Sequence, residues 1–60
     1  MKAGDLVNIY ENPRMETRLE GKARLIEKGF AEDVELESWI VRFEGDDGTV
    51  LRWVKKQAKQ

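Results

Sequence analysis

WIVRFEGDDGTVLRWV, the stretch from residue 39 to residue 54, decides the fold of this chain. Its apolar residues Trp39, Val41 and Phe43 alternate with Ile40, Arg42 and Glu44, which is the period of a half-buried β-strand. Asp47-Gly48 follows and is a strong hairpin signal, because glycine accepts the positive φ that tight turns need. Residues 49–54 then return as a second strand. The stretch predicts a β-hairpin whose inward side chains include Trp39, Val41, Phe43 and Val50.

A further strand is predicted near the start of the chain. Residues 5–10, DLVNIY, alternate and are rich in β-formers. We expect Val7 and Ile9 to point into the core. Pro13 ends this strand, because proline offers no backbone donor to a sheet.

Just before the predicted hairpin, the alternation of apolar and polar residues changes. Val34 and Leu36 alternate in the opposite parity to Trp39 and Val41. Either a bulge at Glu37-Ser38 resets the register, or both faces of this stretch are partly covered. We favour the bulge, because a strongly bent small sheet needs one.

The middle of the chain allows two interpretations. Asn12-Pro13 could open a helix at about 13–28 and Gly29 could close it, and apolar residues recur at helical spacing. These residues are Met15, Leu19, Ala23, Ile26 and Phe30. Gly21 opposes the helix by roughly 1 kcal/mol. The alternative is a long loop over 11–21 and a strand over 22–28, with Ala23 and Leu25 inward. It is favoured because four or five strands can close and hide their edges, whereas a β-α-β-β arrangement leaves the first strand paired only at long range.

The pattern also resembles a known kind of domain. Gly4-Asp5-x-Val7-x-Ile9, then Gly21-x-Ala23-x-Leu25, then Trp39-x-Val41-x-Phe43 and an acidic-glycine turn resemble SH3-like small barrels of the KOW and Tudor type. The resemblance implies one all-β domain over residues 1–54, a barrel of four to five antiparallel strands, followed by a charged tail over 55–60. It also implies binding through aromatic side chains and loops at one side of the sheet.

Composition argues against an enzyme. The 60 residues form one domain at most and contain no histidine and no cysteine. Nucleophilic catalysis needs a serine, cysteine or threonine beside a base, and no histidine can activate Ser38, the single serine. Asp46-Asp47 lies in a predicted exposed turn, and the five glycines are dispersed rather than gathered in a phosphate-binding loop. We expect no catalytic residue, no metal and no cofactor.

Location and partners follow from charge and hydropathy. No stretch approaches the ~20 apolar residues of a membrane span, and the N-terminus lacks a signal-peptide apolar run, so we expect a cytoplasmic protein without membrane contact. The formal net charge is −1, unlike that of a typical nucleic-acid binder. Residues 31–47 carry seven acidic residues against Arg42, whereas residues 48–60 carry four basic residues and no acidic one. This asymmetry predicts either a solvated surface or an acidic docking face.

The leading functional hypothesis is a protein or peptide partner. Tyr10 and Trp53 are predicted to lie near each other beside the 11–21 loop, where flat aromatics with an acidic rim would suit a proline-rich or basic peptide or a methylated lysine. Arg14 and Arg18 belong to the same predicted face. The structural alternative is that Tyr10 and Trp53 only cap a very small core. The Ala-Leu-Tyr-Asp-Tyr-like run of proline-binding SH3 domains is absent.

Two other partners stay open at this point. KOW-type modules contact RNA through loops, and the chain could bind RNA or DNA through a modest basic patch. Its members would be Arg14, Arg18, Lys22, Arg24, Lys55, Lys56 and Lys59. A domain this short also has a marginal core, so self-association or a place in a larger complex would complete it.

Overall fold

The computed structural model describes residues 1–56. Four strands form one antiparallel sheet in the order β1-β2-β3-β4. They are β1 (Leu6–Asn12), β2 (Thr17–Glu32), β3 (Leu36–Phe43) and β4 (Val50–Lys55). The all-β prediction is therefore confirmed. The alternative helix at about 13–28 is wrong, because none of the residues described is helical.

The expected long loop over 11–21 is a hairpin instead. β1 continues to Asn12 and β2 begins at Thr17, so only a four-residue turn connects them. The Asn12 side-chain oxygen accepts a hydrogen bond from the Met15 N–H at 3.2 Å. Asparagine can bond to backbone groups a few residues along, and here that capacity holds a turn rather than the start of a helix. Glu16 and Arg18 complete the reversal with left-handed φ values of 56° and 62°.

β2 is the long strand that bends the sheet. Its first half pairs with β1 and its second half with β3. The register shifts at three places along it, opposite Ile9/Tyr10, between Leu25 and Glu27, and between Lys28 and Glu32, and each time the extra residues lie on β2. Bulges bend a strand and increase its local twist. The bulge expected at Glu37-Ser38 of β3 is not found there, because β3 pairs with β4 in unbroken register. The extra residues opposite this part of β3 belong to β2.

The bent sheet encloses one small core. Six of its residues are buried together: Ile9, Ala23, Leu25, Trp39, Val41 and Val54. Met1, Val7 and Phe43 are partly buried and pack against them. Val50, expected to point inward, is 39% exposed. It is the first residue of an edge strand and follows the exposed connection over 44–49, which leaves it only partly covered.

β3 buries side chains on both of its faces. Ser38 and Trp39 are consecutive and both are buried, although successive side chains of a strand point in opposite directions. The Ser38 hydroxyl donates to the Ala31 carbonyl at 2.9 Å, and Gly29 leaves the space that Ser38 fills. The opposite alternation of Leu36 and of Trp39 and Val41 therefore comes from a strand that is covered on both faces. Of the two interpretations of the sequence, this one is confirmed, and the bulge is not.

The predicted hairpin between β3 and β4 is confirmed, with a different turn. The connection covers residues 44–49, and the positive φ of 89° belongs to Gly45 rather than to Gly48. The Asp46 N–H donates to the Phe43 carbonyl at 3.0 Å and closes the first part of this turn.

The sheet is open, with β1 and β4 at its two edges. The closed barrel that the sequence pattern predicted is therefore not confirmed. Lys55 ends β4 instead of starting a tail, and residues 57–60, including Lys59, lie outside the described part of the chain. Within residues 1–56 no helix is long and apolar enough to span a membrane.

Candidate functional site

The two sheet edges face each other across a groove of about 630 Å³. Consecutive residues of β1 and β4 line it, together with the turn between β1 and β2. The lining comprises Met1, Leu6, Val7, Asn8, Tyr10, Pro13, Glu16, Trp53, Val54, Lys55 and Lys56. We call this space the seam groove. It exists because the curl of β2 brings β1 and β4 near each other without joining them in the sheet.

Tyr10 and Trp53 lie on opposite sides of the seam groove. Both also line an adjoining groove of about 290 Å³, together with Pro13, Leu51 and the charged residues Glu11, Glu20 and Arg52. Trp53 is 40% exposed, so much of its ring is open to solvent. The two aromatic residues that the sequence singled out are thus brought together, and Pro13, which the sequence marked only as a strand end, lies with them.

Arg14 does not line either groove. Its guanidinium donates to Asp33 Oδ2 at 2.9 Å and to Glu35 Oε1 at 2.7 Å, joining the β1–β2 turn to the β2–β3 turn. These hydrogen bonds raise the pKa of Arg14, and the same contact lowers the pKa of Asp33. The Glu35 carbonyl accepts the Lys56 N–H at 2.8 Å, so the β2–β3 turn is also attached to the end of β4. Arg14 therefore helps to hold the ends of the seam together.

A second ion pair joins Arg52 of β4 to Glu20 of β2. The Nε and Nη2 of Arg52 donate to the two carboxylate oxygens of Glu20 at 2.9 and 2.8 Å. The guanidinium carbon lies 5.7 Å from the centroid of the Phe43 ring, within the range of a cation–π contact. The contact with Arg52 lowers the pKa of Glu20. Since Glu20 is the extra residue of the first β2 bulge, that irregularity places a carboxylate where β4 can reach it.

The acidic residues at and beside the β2–β3 turn are paired with basic residues. Glu32 accepts hydrogen bonds from Lys56 Nζ at 2.7 Å and from Lys28 Nζ at 3.0 Å. These two contacts, that with Lys56 first, lower the pKa of Glu32 to about 2. Together with the Arg14 contacts, they neutralise much of the β2–β3 turn, so a free acidic docking face does not form there.

The arginines of the expected basic patch each contact other groups, and of the patch only Lys55 and Lys56 line the seam groove among the described residues. Arg14 is held by carboxylates, Arg18 lies 3.9 Å from Glu11, and Arg24 donates to the Gly4 carbonyl at 2.8 Å. None of these three arginines lines the seam groove or its neighbour. The structure therefore brings together Tyr10 and Trp53 from the predicted binding set, but not Arg14 and Arg18.

In the described part of the chain, no three potential ligand side chains form a group that could hold a metal ion. The buried Ser38 hydroxyl is occupied by its bond to the Ala31 carbonyl. What the site does present is apolar and aromatic surface, a few charges and the outer edges of two strands. Sequence reasoning missed Leu6 and Asn8 at the groove and named Lys55 only as part of a basic patch, because their place at the groove depends on which strands become edges.

Comparison of this chain with protein-family models, curated proteins and solved structures finds no match.

Proposed function

We propose that this chain is a cytoplasmic, non-enzymatic interaction module that binds a protein or peptide segment in the seam groove. The observation that carries the proposal is the placement of Tyr10 and Trp53 on opposite edges of the open sheet, lining the same two grooves. Tyrosine and tryptophan are enriched among the residues that dominate binding energy at protein interfaces. Their rings cover a large area at low conformational cost, because each has only two rotatable side-chain bonds.

An SH3-like relationship is part of the same proposal. Four antiparallel strands, a long bent β2 shared between two sheet neighbours and a core of alternating side chains support it. The open edge between β1 and β4 is the feature that departs from a closed barrel. In the proposed module this departure is useful, because it leaves a groove where a closed barrel would have backbone pairing.

Charge favours a protein partner over a nucleic acid. Binding to nucleic acid depends on several basic residues that meet phosphates along one surface. Here Arg14 and Arg52 form ion pairs with carboxylates, and Glu11, Glu16 and Glu20 lie at the grooves. A phosphate backbone would meet these carboxylates as it approached.

The proposal is tested with a displayed library of random peptides selected on the immobilised full chain. Peptides recovered on the wild type are measured against Trp53→Ala and Tyr10→Ala. We expect each substitution to weaken binding by about 30-fold, the effect of removing an interface anchor. The control is Phe30→Ala, which removes a fully exposed aromatic ring that lies outside both grooves and should leave the affinity unchanged.

Two results would contradict the proposal. One is a selection that yields no peptide, or peptides that bind Trp53→Ala and Tyr10→Ala as tightly as the wild type. The other is binding of single-stranded RNA or DNA whose affinity falls steeply between 50 and 200 mM salt, because that dependence is the mark of phosphate contacts.

A further inference from the structure

We infer that the seam groove takes its partner as an added β-strand: an extended peptide segment that pairs with the outer edge of β1. This inference rests on the proposed function and specifies how the partner is held. β1 and β4 each have one neighbour in the sheet, so each presents an unpaired edge to the groove. An extended peptide can satisfy such an edge through backbone hydrogen bonds, while its alternate side chains provide specificity.

The lining of the groove shows that it runs along strand edges. Side chains of a strand alternate between its two faces, so a groove on one face touches every second residue. The seam groove instead touches Leu6, Val7 and Asn8 in succession on one side, and Trp53, Val54 and Lys55 in succession on the other. A surface that meets both parities of both strands lies along their edges, where backbone groups are exposed.

The register identifies which backbone groups of β1 point into the groove. The Leu25 N–H donates to the Asp5 carbonyl at 2.8 Å, whereas the Leu25 carbonyl accepts from the Gly4 N–H at 2.7 Å, so the Asp5 carbonyl is the group of that residue that points to β2. In an antiparallel ladder, successive residues direct their backbone groups alternately toward and away from the neighbouring strand. The register therefore directs the N–H and carbonyl groups of Val7 toward β2 and those of Leu6 and Asn8 away from it.

The charges around the two grooves define the chemistry of the segment. Lys55 and Lys56 line the seam groove with Glu16, but Lys56 is bound to Glu32, so Lys55 is the lysine there that forms no ion pair within residues 1–56. In the adjoining groove Glu20 is bound to Arg52, which leaves Glu11, 3.9 Å from Arg18, as the other carboxylate. Tyr10 and Trp53 line both grooves. The segment that fits carries an acidic residue at the lysine side, an apolar or aromatic residue at Tyr10 and Trp53, and a basic residue at the adjoining groove. From Leu6 to Tyr10, β1 is about 14 Å long, so about five residues of the partner can pair with it.

The peptides recovered from the displayed library serve as the probe. Each is resynthesised with single N-methyl groups, which remove one backbone donor at a time. Strand addition predicts that methylation weakens binding at alternate positions, by about tenfold or more, and has little effect at the positions between them. It also predicts that the amide protons of Leu6 and Asn8 exchange at least about tenfold more slowly when the peptide is bound.

A substitution in the chain gives an independent readout. Asn8→Pro removes an outward N–H without removing a bond of the β1–β2 ladder, a position where edge strands accept proline. We expect it to weaken peptide binding at least about fivefold more than Asn8→Ala, which keeps the N–H. Thermal unfolding establishes whether Asn8→Pro folds, and if it does not, the methylated peptides and the amide exchange decide.

The outcomes separate this inference from the proposed function. If peptides bind, lose affinity with Trp53→Ala, but tolerate N-methylation at every position, the groove binds side chains alone and strand addition is wrong. If the exchange of the Leu6 and Asn8 amides is unchanged while β4 amides become protected, the added strand pairs with β4 and the assignment to β1 is wrong. If no peptide binds, the proposed function itself fails.

Discussion

The two hairpins of this sheet are held in different ways. β3 and β4 pair in unbroken register from Leu36–Lys55 to Val41–Val50, and their inner side chains form part of the core. The hairpin of β1 and β2 supplies an equal part of the core, Ile9, Ala23 and Leu25, but it contains a bulge and left-handed residues at Glu16 and Arg18. The turn at its tip is joined to the β2–β3 turn by exposed ion pairs of Arg14.

This difference separates the part of the molecule that burial fixes from the part where we propose that a partner binds. Burial of a large apolar side chain stabilises a fold by about 1.5–3 kcal/mol, whereas an exposed ion pair contributes about 0–1 kcal/mol. The core side of the sheet is therefore fixed by burial. β1 and β4 are not paired in the sheet, and the exposed ion pairs of Arg14 near the seam groove contribute little, so a strand of the proposed partner would displace few strong interactions there.

The largest effect is expected in the core. Leu25 is 1% exposed and Leu25→Ala should lower the free energy of unfolding by about 2–5 kcal/mol, because the lost contacts leave a cavity. For a domain whose total stability is on the order of 3–9 kcal/mol, this leaves much of the chain unfolded. Leu19→Ala is the control: Leu19 lies in the same strand but is 59% exposed, so a change within about 0.5 kcal/mol is expected. Urea denaturation measures both, and equal losses would contradict the contrast between core and surface.

Gly29 offers a second way to disturb the β3 side of the molecule. A Cβ added there would clash with Ser38 Oγ and lie 3.2 Å from Ser38 Cβ. Gly29→Ala should push Ser38 from its bond to the Ala31 carbonyl and lower the free energy of unfolding by about 1–3 kcal/mol.

Gly48→Ala is the matched control for Gly29→Ala. Nothing lies within 4 Å of a Cβ added at Gly48. That substitution should be neutral or slightly stabilising, because alanine restricts the unfolded chain. Urea denaturation of the two variants gives the comparison. If both lose the same stability, the contact between Gly29 and Ser38 does not matter.

The same contrast separates what the sequence could predict from what it could not. The strand over residues 22–28 and the hairpin over 39–54 were predictable, because Ala23, Leu25, Trp39 and Val41 alternate and are buried. The β1–β2 hairpin was not, because Asn12-Pro13 is compatible with a helix start, a loop or the turn it forms.

The bend and the site depended on relationships distant in sequence. The β2 bulge at Ile26 has no glycine or proline to mark it, so the curl of the sheet could not be located. The partners of Arg14 lie 19 and 21 residues away and that of Arg52 lies 32 residues away. Ion pairs between residues so far apart in sequence cannot be predicted until the fold is known. Tyr10 and Trp53 could be singled out because large aromatics beside strand ends are few in this chain, whereas the groove between them depends on β1 and β4 being edges.

The smallest effect on the free energy of unfolding is expected from the ion pairs near the seam groove. It can be measured separately by varying the pH, because protonation of the carboxylates breaks these pairs. Contacts with Lys56 and Lys28 lower the pKa of Glu32 from 4.5 to about 2. A carboxyl whose pKa is lower in the folded state stabilises the fold above its ordinary pKa and loses that contribution as it is protonated. The free energy of unfolding should therefore fall as the pH is lowered from about 4.5 towards 2, and Asp33 and Glu20, whose pKa values are also lowered, act in the same direction.

Glu32→Gln should flatten this part of the pH profile, because it removes the group whose protonation is linked to unfolding. Glu27→Gln removes an equal charge from the same strand, and Glu27 forms no ion pair within residues 1–56, so it should leave the profile unchanged. Urea denaturation at a series of pH values between 2 and 6, at low salt to limit screening, measures the difference. Identical profiles for the wild type and Glu32→Gln would show that the exposed ion pairs of Glu32 with Lys28 and Lys56 do not stabilise the fold.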